Sequence, residues 1–510
     1  MDEVDPVTAT LLPLLIAVPL LVAGILVIIG RRARVHAATV LLIPCSSLTA
    51  SIALVIAVQH GAVLAHGVGL WPVGIAIPLA ADMFAALMLT VTSLLIAVCT
   101  AFALVCGHGS SRFFAPLVLV LAAGVNGALL TADLFNLFVF IEVMLLPSYG
   151  LFVLSARGQA PERRIAGTRL YVAVNLLTST VFLAGVALIY GTTGTVNLGE
   201  LGAAAKHDSR VALAGAVCLL ALGIKAAVVP VHGWLAHTYP ATSPAITALF
   251  SGLHTKVAIY AIYRIYAVLF DGDSRYLWIG VTLFSLTMII GVLGAVGATT
   301  TRSILAFHMV SQIGYILFGV ALFTEWGLTA GIFYLLHHMI VKASLFLSTG
   351  AIETHYGTGA LGELSGIARR EPWLAAAFFI AALSLAGLPP FSGFVAKLTL
   401  IMASLDAAQI TATIIMIVVS LITLLSMIKI WSGIFWGPDD TRSPELDGTA
   451  STTLTVAPPR ASLTLTAPAM ILAALTLALG LGAELLMSLA HTAALGLLDP
   501  AAYLEAVTRP

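Results

Sequence analysis

Runs of about twenty apolar residues, separated by short polar links, recur along most of this sequence. A bilayer core takes about 20 apolar residues as one helix. Lipid offers no partner for backbone N–H and C=O groups, so a spanning chain must be helical or a closed barrel. Runs of this length predict helices. Roughly fourteen spans are expected, at 8–30, 37–58, 79–106, 113–131, 134–155, 169–190, 211–230, 243–267, 277–298, 303–323, 327–350, 373–401, 409–435 and 464–488. The stretch from Pro438 to Ser462 is rich in Ser, Thr and Pro. That composition predicts a flexible loop ahead of a last, loosely attached helix. The expected fold is an all-α polytopic membrane protein with no extramembrane domain large enough to fold alone.

Composition agrees: 60% of the 510 residues are hydrophobic and only 9% are charged. A soluble chain of that length needs more charge to cover its surface. Formal net charge is zero, so nothing points to nucleic acid as a partner. The first apolar run follows an acidic MDEVDP rather than a basic n-region, which predicts a retained helix and not a cleaved signal. The four cysteines, Cys45, Cys99, Cys106 and Cys218, all fall in apolar runs without a CxxC, and are expected as buried small hydrophobes. The chain has no HExxH, GxGxxG, Walker motif or nucleophile elbow. No catalytic residue, metal site or cofactor is expected, and neither a hydrolase nor a nucleotide-driven pump.

Basic residues are sorted by place. Loops after odd-numbered spans carry thirteen, against five on the opposite side. Basic loops stay cytoplasmic, so both termini are expected outside the cytoplasm. None of the seventeen arginines is expected deep in a span, whereas five of six lysines are: Lys225, Lys256, Lys342, Lys397 and Lys429. Arginine keeps its proton in proteins and buried lysine can lose it. A row of titratable amines within the bilayer predicts proton handling.

Two spans are broken. Pro230 and Gly233 interrupt span seven; Gly387, Pro389, Pro390 and Gly393 interrupt span twelve. Proline removes a backbone donor, and such breaks in a membrane occur where protein or water lines a site. One break per half of the chain suggests an inverted-repeat transporter. Glu142, midway along span five, is expected as an ion-pair partner for an intramembrane lysine, most simply Lys225. Asp133, at that span's start, is either a cap or a functional carboxylate. His338 and Lys342 stand at i, i+4 and share a helix face, which suits a relay. His337 faces elsewhere. His232, His254 and His308 are secondary candidates for lining a water path, each also readable as a hydrogen-bonded packing residue. Lys429 is either functional or a lysine reaching an interface.

The strings KAAVVPVHGWL, SPAITALFSGLHTKVAIYAIYR, HHMIVKASLF and LSLAGLPPFSGFVAKL resemble the proton-translocating antiporter-like subunits shared by respiratory complex I and Mrp-type cation/proton antiporters. The resemblance runs from about residue 60 to 435. Together with LFNLFVFIEVMLLPSYGL and the chain length, it is strongest to the D subunits of Mrp (Mnh, Pha) sodium/proton antiporters. It implies fourteen helices, inverted five-helix repeats at spans 4–8 and 9–13, and broken helices seven and twelve. It further implies a polar axis in which Glu142 pairs with Lys225 and continues through Lys256, His338 or Lys342, and Lys397. The partners implied are the other subunits of a hetero-oligomeric complex in a bacterial cell membrane, with H+ and Na+ as the ions, the proton-motive force as the driver, and no cofactor. The family's usual WLP after the first break is WLAHTYP here, with Ala236 in place of proline.

The corresponding division of the chain is an N-terminal three-helix segment (1–110), two antiporter-like repeats (111–270 and 271–437), and a polar loop with a C-terminal helix (438–510). The expected function is proton translocation in a multisubunit sodium/proton antiporter. Two alternatives remain open: a proton-pumping subunit of a redox complex (complex I or a membrane-bound hydrogenase), and a structural scaffold with degenerate ion pairs. No oxygen-rich sodium cage is evident in the chain.

Overall fold

A computed structural model describes residues 9–30, 32–71, 75–154, 161–437 and 460–509. The chain is built from helices: α1 Leu14–Ile29, α2 Ala33–Val58, α3 Met83–Val105, α4 Phe114–Leu130, α5 Leu134–Leu154, α6 Pro161–Thr193, α7 Ser209–Ala226, α8 Gly233–Thr238 and α9 Pro244–Leu269 form the first part. The second part comprises α10 Leu277–Gly297, α11 Thr301–Leu322, α12 Glu325–Tyr356, α13 Pro372–Ala386, α14 Ser392–Asp406, α15 Ile410–Ile430, α16 Leu463–Leu481, α17 Ala483–Leu498 and α18 Ala501–Thr508. Among the described residues, eleven helices are long and apolar enough to cross a membrane, or twelve if the bent pair α17–α18 counts as one span. Three shorter apolar helices, α1, α4 and α13, add to these.

Local sequence sets the helix starts. Asp82 caps α3 by accepting from the Ala85 N–H, and Ser243 caps α9 ahead of Pro244 at the first helical position. Thr300 and Thr324 cap α11 and α12. Side-chain oxygens at these positions satisfy N–H groups that the helix itself leaves unpaired.

Burial divides the helices sharply. The apolar windows of α9 and α12 are wholly buried and that of α11 nearly so, whereas α2 and α10 keep most of their surface outside. α9 packs against α12 at the centre. A central helix can carry polar side chains because protein, not lipid, surrounds it. The titratable residues of the second half lie mainly there.

Five expectations need correction. A short antiparallel hairpin, Leu64–Gly67 with Pro78–Ala81, interrupts the all-α pattern between α2 and α3. The last helix is not loosely attached: α16 packs on α12 and α13, and a Cβ on Gly480 would lie 2.3 Å from the Pro390 carbonyl oxygen. Only a residue without a side chain permits that approach. Nor does this helix run through residue 488, because the chain breaks at Gly482 and continues as α17 and α18. Most of the polar stretch Pro438–Ser462 lies outside the described residues. Cys45 is exposed on α2, and Cys106 is only partly buried; Cys99 and Cys218 are buried. Finally, Arg264 sits inside α9, fully enclosed, where Asp82 at the head of α3 supplies the opposite charge at 2.6 Å.

Candidate functional site

The two helix breaks use the same cap. α7 ends with Ala227 in the left-handed region (φ 63°), and the Val228 N–H reaches back to the Gly223 carbonyl at 2.9 Å. α13 ends with Gly387 (φ 89°), and the Leu388 N–H reaches back to the Leu383 carbonyl at 3.1 Å. Both are the six-to-one closure that terminates a helix by satisfying its loose carbonyls. The Val229–Pro230 and Pro389–Pro390 peptide bonds that follow are both cis.

Lys225 lies in the last turn of α7, buried, with its Nζ donating to Asn175 Oδ1 of α6 at 3.3 Å. The expected Glu142–Lys225 ion pair is not made. Glu142 lies within electrostatic reach of Lys225, but its Oε1 is buried without a hydrogen-bond partner. A neutral amide has taken the position in which a carboxylate was expected. Asn175 in turn donates to the Tyr171 carbonyl at 2.8 Å, one turn earlier in α6. Tyr171 and Asn175 were not singled out by sequence reasoning, since their spacing is that of ordinary helix packing.

His254 follows. Its Nε2 is 2.9 Å from Ser148 Oγ on α5 and its Nδ1 is 3.3 Å from the Tyr171 hydroxyl, and it lies within electrostatic reach of Lys225. Two residues on, Lys256 is wholly enclosed in α9 and donates only to Thr255 Oγ1 at 3.1 Å. His338 on α12 lies within reach of both Lys256 and Lys342, and both its ring nitrogens are without a partner among the described residues. Lys342 donates to the Leu305 carbonyl at 2.9 Å. His308 on α11, also with two uncommitted ring nitrogens among the described residues, lies within electrostatic reach of both Lys342 and Lys397.

Lys397 lies on α14, past the second break. Its Nζ donates back to the Ala386 carbonyl at 2.8 Å and to Ser420 Oγ at 2.9 Å. His337 does not share this face but holds Ser392, at the start of α14, through Nδ1 at 2.7 Å. The result is a file of titratable groups from Glu142 to Lys397. Among the described residues, none of Lys225, Lys256, Lys342 and Lys397 touches a carboxylate; each donates only to neutral oxygens. An amine in such a setting can exist with or without its proton, which a guanidinium cannot.

Three candidates stand apart from this file. Asp133 accepts the Asn136 N–H at 2.7 Å and serves as a helix cap for α5; burial raises its carboxyl and that backbone donor offsets part of the rise. Lys429 donates to the Val296 and Ala298 carbonyls, both at 2.8 Å, closing the C-terminal end of α10 where a cation complements the helix dipole. His232 is half-buried in the first break, with Nδ1 buried and unpartnered. Among the described residues no His, Cys, Asp and Glu cluster is arranged to hold a metal.

A cavity of about 1470 Å3 opens at the arginine-rich end of the bundle. His108, Arg112, His237, Arg302 and Glu353 line it, with Arg302 paired to Glu353 at 2.8 Å. Gly167 and Leu170 of α6 form part of its wall. Tyr171 comes next in the chain, so its contact with His254 connects the cavity wall to the Lys225 end of the file.

Known proteins resemble this chain along nearly its whole length. The family profile described as NADH:quinone oxidoreductase/Mrp antiporter, TM, matches residues 131–423. The D subunit of the Na(+)/H(+) antiporter of Alkalihalophilus pseudofirmus is 35% identical over 98% of this chain and 99% of its own. In the structure of the Mrp complex from Dietzia sp., one chain superposes with a TM-score of 0.94 at 57% identity, covering 98% of this chain and 99% of that one. A chain of respiratory complex I from Thermus thermophilus shares the fold at 21% identity, with a TM-score of 0.81 over 98% of this chain and 99% of its own. Matches of this extent leave one assignment: the chain belongs to the NADH:quinone oxidoreductase/Mrp antiporter membrane family, among its sodium/proton antiporter D subunits.

Proposed function

We propose that this chain is the proton-carrying subunit of a multisubunit sodium/proton antiporter, driven by the proton-motive force and working in a cell membrane beside other subunits. The observation that carries this reading is the file of titratable groups from the half-buried Glu142 through the buried Lys225, His254, Lys256, His338, Lys342 and His308 to Lys397. Driven inward, a proton passes along the file to Lys225 and leaves by His254 and Tyr171 to the cavity at the arginine-rich end, taken as cytoplasmic. Glu142 swings toward Lys225 when the amine is charged and away when it is not. His338 and His308 carry the proton between lysines, since each has a ring nitrogen free to accept it. Charging one amine repels a proton from the next, an effect of a few kcal/mol for charges several ångströms apart in a partly desolvated interior.

The same reading takes the eleven long helices together with α1, α4 and the broken pair α13–α14 as fourteen spans. The matching caps at the two breaks support an inverted pair of repeats. Sodium crosses elsewhere in the complex, since Glu142 is the one carboxylate of the file and its other members are amines and imidazoles. The names of the relatives, one part of an Na(+)/H(+) antiporter and the other a chain of an Mrp complex, support the choice of ions and the multisubunit setting. The test is sodium/proton exchange in vesicles bearing the intact complex, with Lys225, Glu142 and Lys397 each replaced by alanine. Exchange should fail in the two lysine variants and weaken in the glutamate variant. Normal exchange in all three overturns the reading.

A further inference from the structure

We propose that helix α18 is a lid that seals the end of the molecule opposite the cavity, and that Arg264, held by Asp82 and covered by Tyr503, is the barrier that keeps protons in the file from escaping there. The inference rests on the proton-file reading above.

Three distant parts of the chain meet at this point. Asp82 heads α3, Arg264 lies two turns beyond Lys256 on α9, and Tyr503 comes from α18. The Arg264 Nη2 donates to Asp82 Oδ2 at 2.6 Å and to the Tyr260 hydroxyl at 3.3 Å. Its guanidinium carbon stands 4.3 Å from the Tyr503 ring centroid and 5.5 Å from that of Tyr260. Cation–π contact of this kind strengthens when water is excluded. Arg264, Asp82 and Tyr503 are 3%, 6% and 3% exposed.

Stability alone does not explain the arrangement. A buried ion pair is usually no better than apolar residues of the same volume. Here Arg264 also leaves Nε and Nη1 buried without a partner among the described residues, which adds the desolvation of two more donors. What the guanidinium supplies, and a hydrophobic group does not, is a permanent positive charge. A fixed cation in a polar path repels protons and other cations.

The position fits that use. Lys256, Tyr260 and Arg264 recur at i, i+4 and i+8, so they share one face of α9. That face leads from the middle of the file toward the end where α9 stops. The Tyr260 hydroxyl, donated to the Leu129 carbonyl at 2.8 Å, is the one polar group between the two cations on that row. Without Arg264 and its cover, the row would join Lys256 to the outside.

The lid is docked, not fused. α18 bends 71° from α17. It lies on the turn after α6, where a Cβ on Gly199 would stand 2.8 Å from Thr508 Cγ2 and one on Gly202 2.8 Å from Leu504 Cδ1. Side chains at either position would lift it.

The test uses vesicles containing the assembled complex, with proton permeability measured in the absence of sodium. Tyr503→Ala is expected to raise permeability about tenfold, the factor that corresponds to losing about 1.4 kcal/mol of closure. Tyr503→Phe keeps the ring and should stay tight. Adding Lys256→Gln to Tyr503→Ala should make the vesicles tight again, because the leak then has no proton source on the row. The volume-conserving pair Asp82→Asn with Arg264→Met should leak with Tyr503 in place, which covers the case in which Tyr503→Ala does not assemble. Assembled Tyr503→Ala vesicles as tight as the unaltered complex overturn the seal, as does a leak that survives Lys256→Gln. Failure of the underlying reading looks different: exchange then persists in Lys225→Ala whatever the permeability.

Discussion

The two helix breaks share a cap and differ in what their lysines hold. Lys225 precedes its break and faces an amide, with Glu142 nearby but not touching. Lys397 follows its break and reaches back to the carbonyl of Ala386, the last residue of the helix before it, and to Ser420. The second ammonium thus satisfies a backbone acceptor that the break itself exposes. The first donates to Asn175, and the carboxylate nearby leaves its Oε1 without a hydrogen-bond partner. One backbone device thus supports two electrostatic settings: an end where the amine meets an amide with a carboxylate nearby, and an end where the amine is anchored on the helix end.

The largest effect tests what the two ends have in common. Lys225→Arg and Lys397→Arg keep the positive charge and remove its proton exchange. Each should lower sodium/proton exchange by about a hundredfold or more, the usual scale for losing a positioned proton carrier. Retained exchange in either variant would mean that a fixed charge suffices at that end.

Glu142→Gln should lower exchange about tenfold, a smaller loss because Lys225 keeps Asn175, and a proton-carrying step responds tenfold to about 1.4 kcal/mol. An unchanged rate would make the first break electrically equivalent to the second. Ser420→Ala removes one of the two acceptors of Lys397 and should leave exchange within about threefold, as expected for one neutral hydrogen bond of about 0.5–1.5 kcal/mol when the carbonyl remains.

The caps themselves can be exchanged. Gly387→Ala puts a β-carbon at φ 89° and 2.6 Å from Lys397 Cδ. Left-handed backbone costs an alanine about 1–2 kcal/mol, so the thermal midpoint of the assembled complex should fall. Ala227→Gly relieves the same strain at the first break and should raise it slightly, after the added freedom of the unfolded chain is subtracted. Equal responses at the two breaks would erase the difference between their caps.

The smallest effect lies in the loop before α7. A hydrogen bond from the exposed Arg210 side chain, with its backbone N–H, holds Asp208 below the usual carboxylate range. A lowered folded-state carboxyl stabilises above the unfolded value and loses that contribution as pH falls through the folded one. Asp208→Asn should therefore lower the midpoint slightly near neutral pH and make no difference in strong acid. An effect that grows with acidity would contradict the assignment.

Much of the site was legible in the sequence. The positions of Lys225, Lys256, Lys342, Lys397, His338 and Glu142 stand out because an ionisable group in an apolar run is expensive and rare. The breaks stand out because proline and glycine interrupt helices. What lay beyond reach were residues whose meaning comes from distant neighbours. Asn175 and Tyr171 read as ordinary members of α6. Arg264 reads as a residue near the end of a span, and its enclosure depends on Asp82, 182 positions earlier.

Sequence by itself determined that this chain is helical and membrane-embedded, which residues carry removable charge, and where two helices must break. These follow from composition, period and local backbone chemistry, which are properties of short stretches. Only the tertiary structure decided which partners those charges have: an amide instead of a carboxylate for Lys225, a helix-end carbonyl for Lys397, and the join of α3, α9 and α18 around Arg264. The physical reason is that pairing in a low-dielectric interior depends on distances of a few ångströms between helices, and those distances are set by packing across the whole bundle.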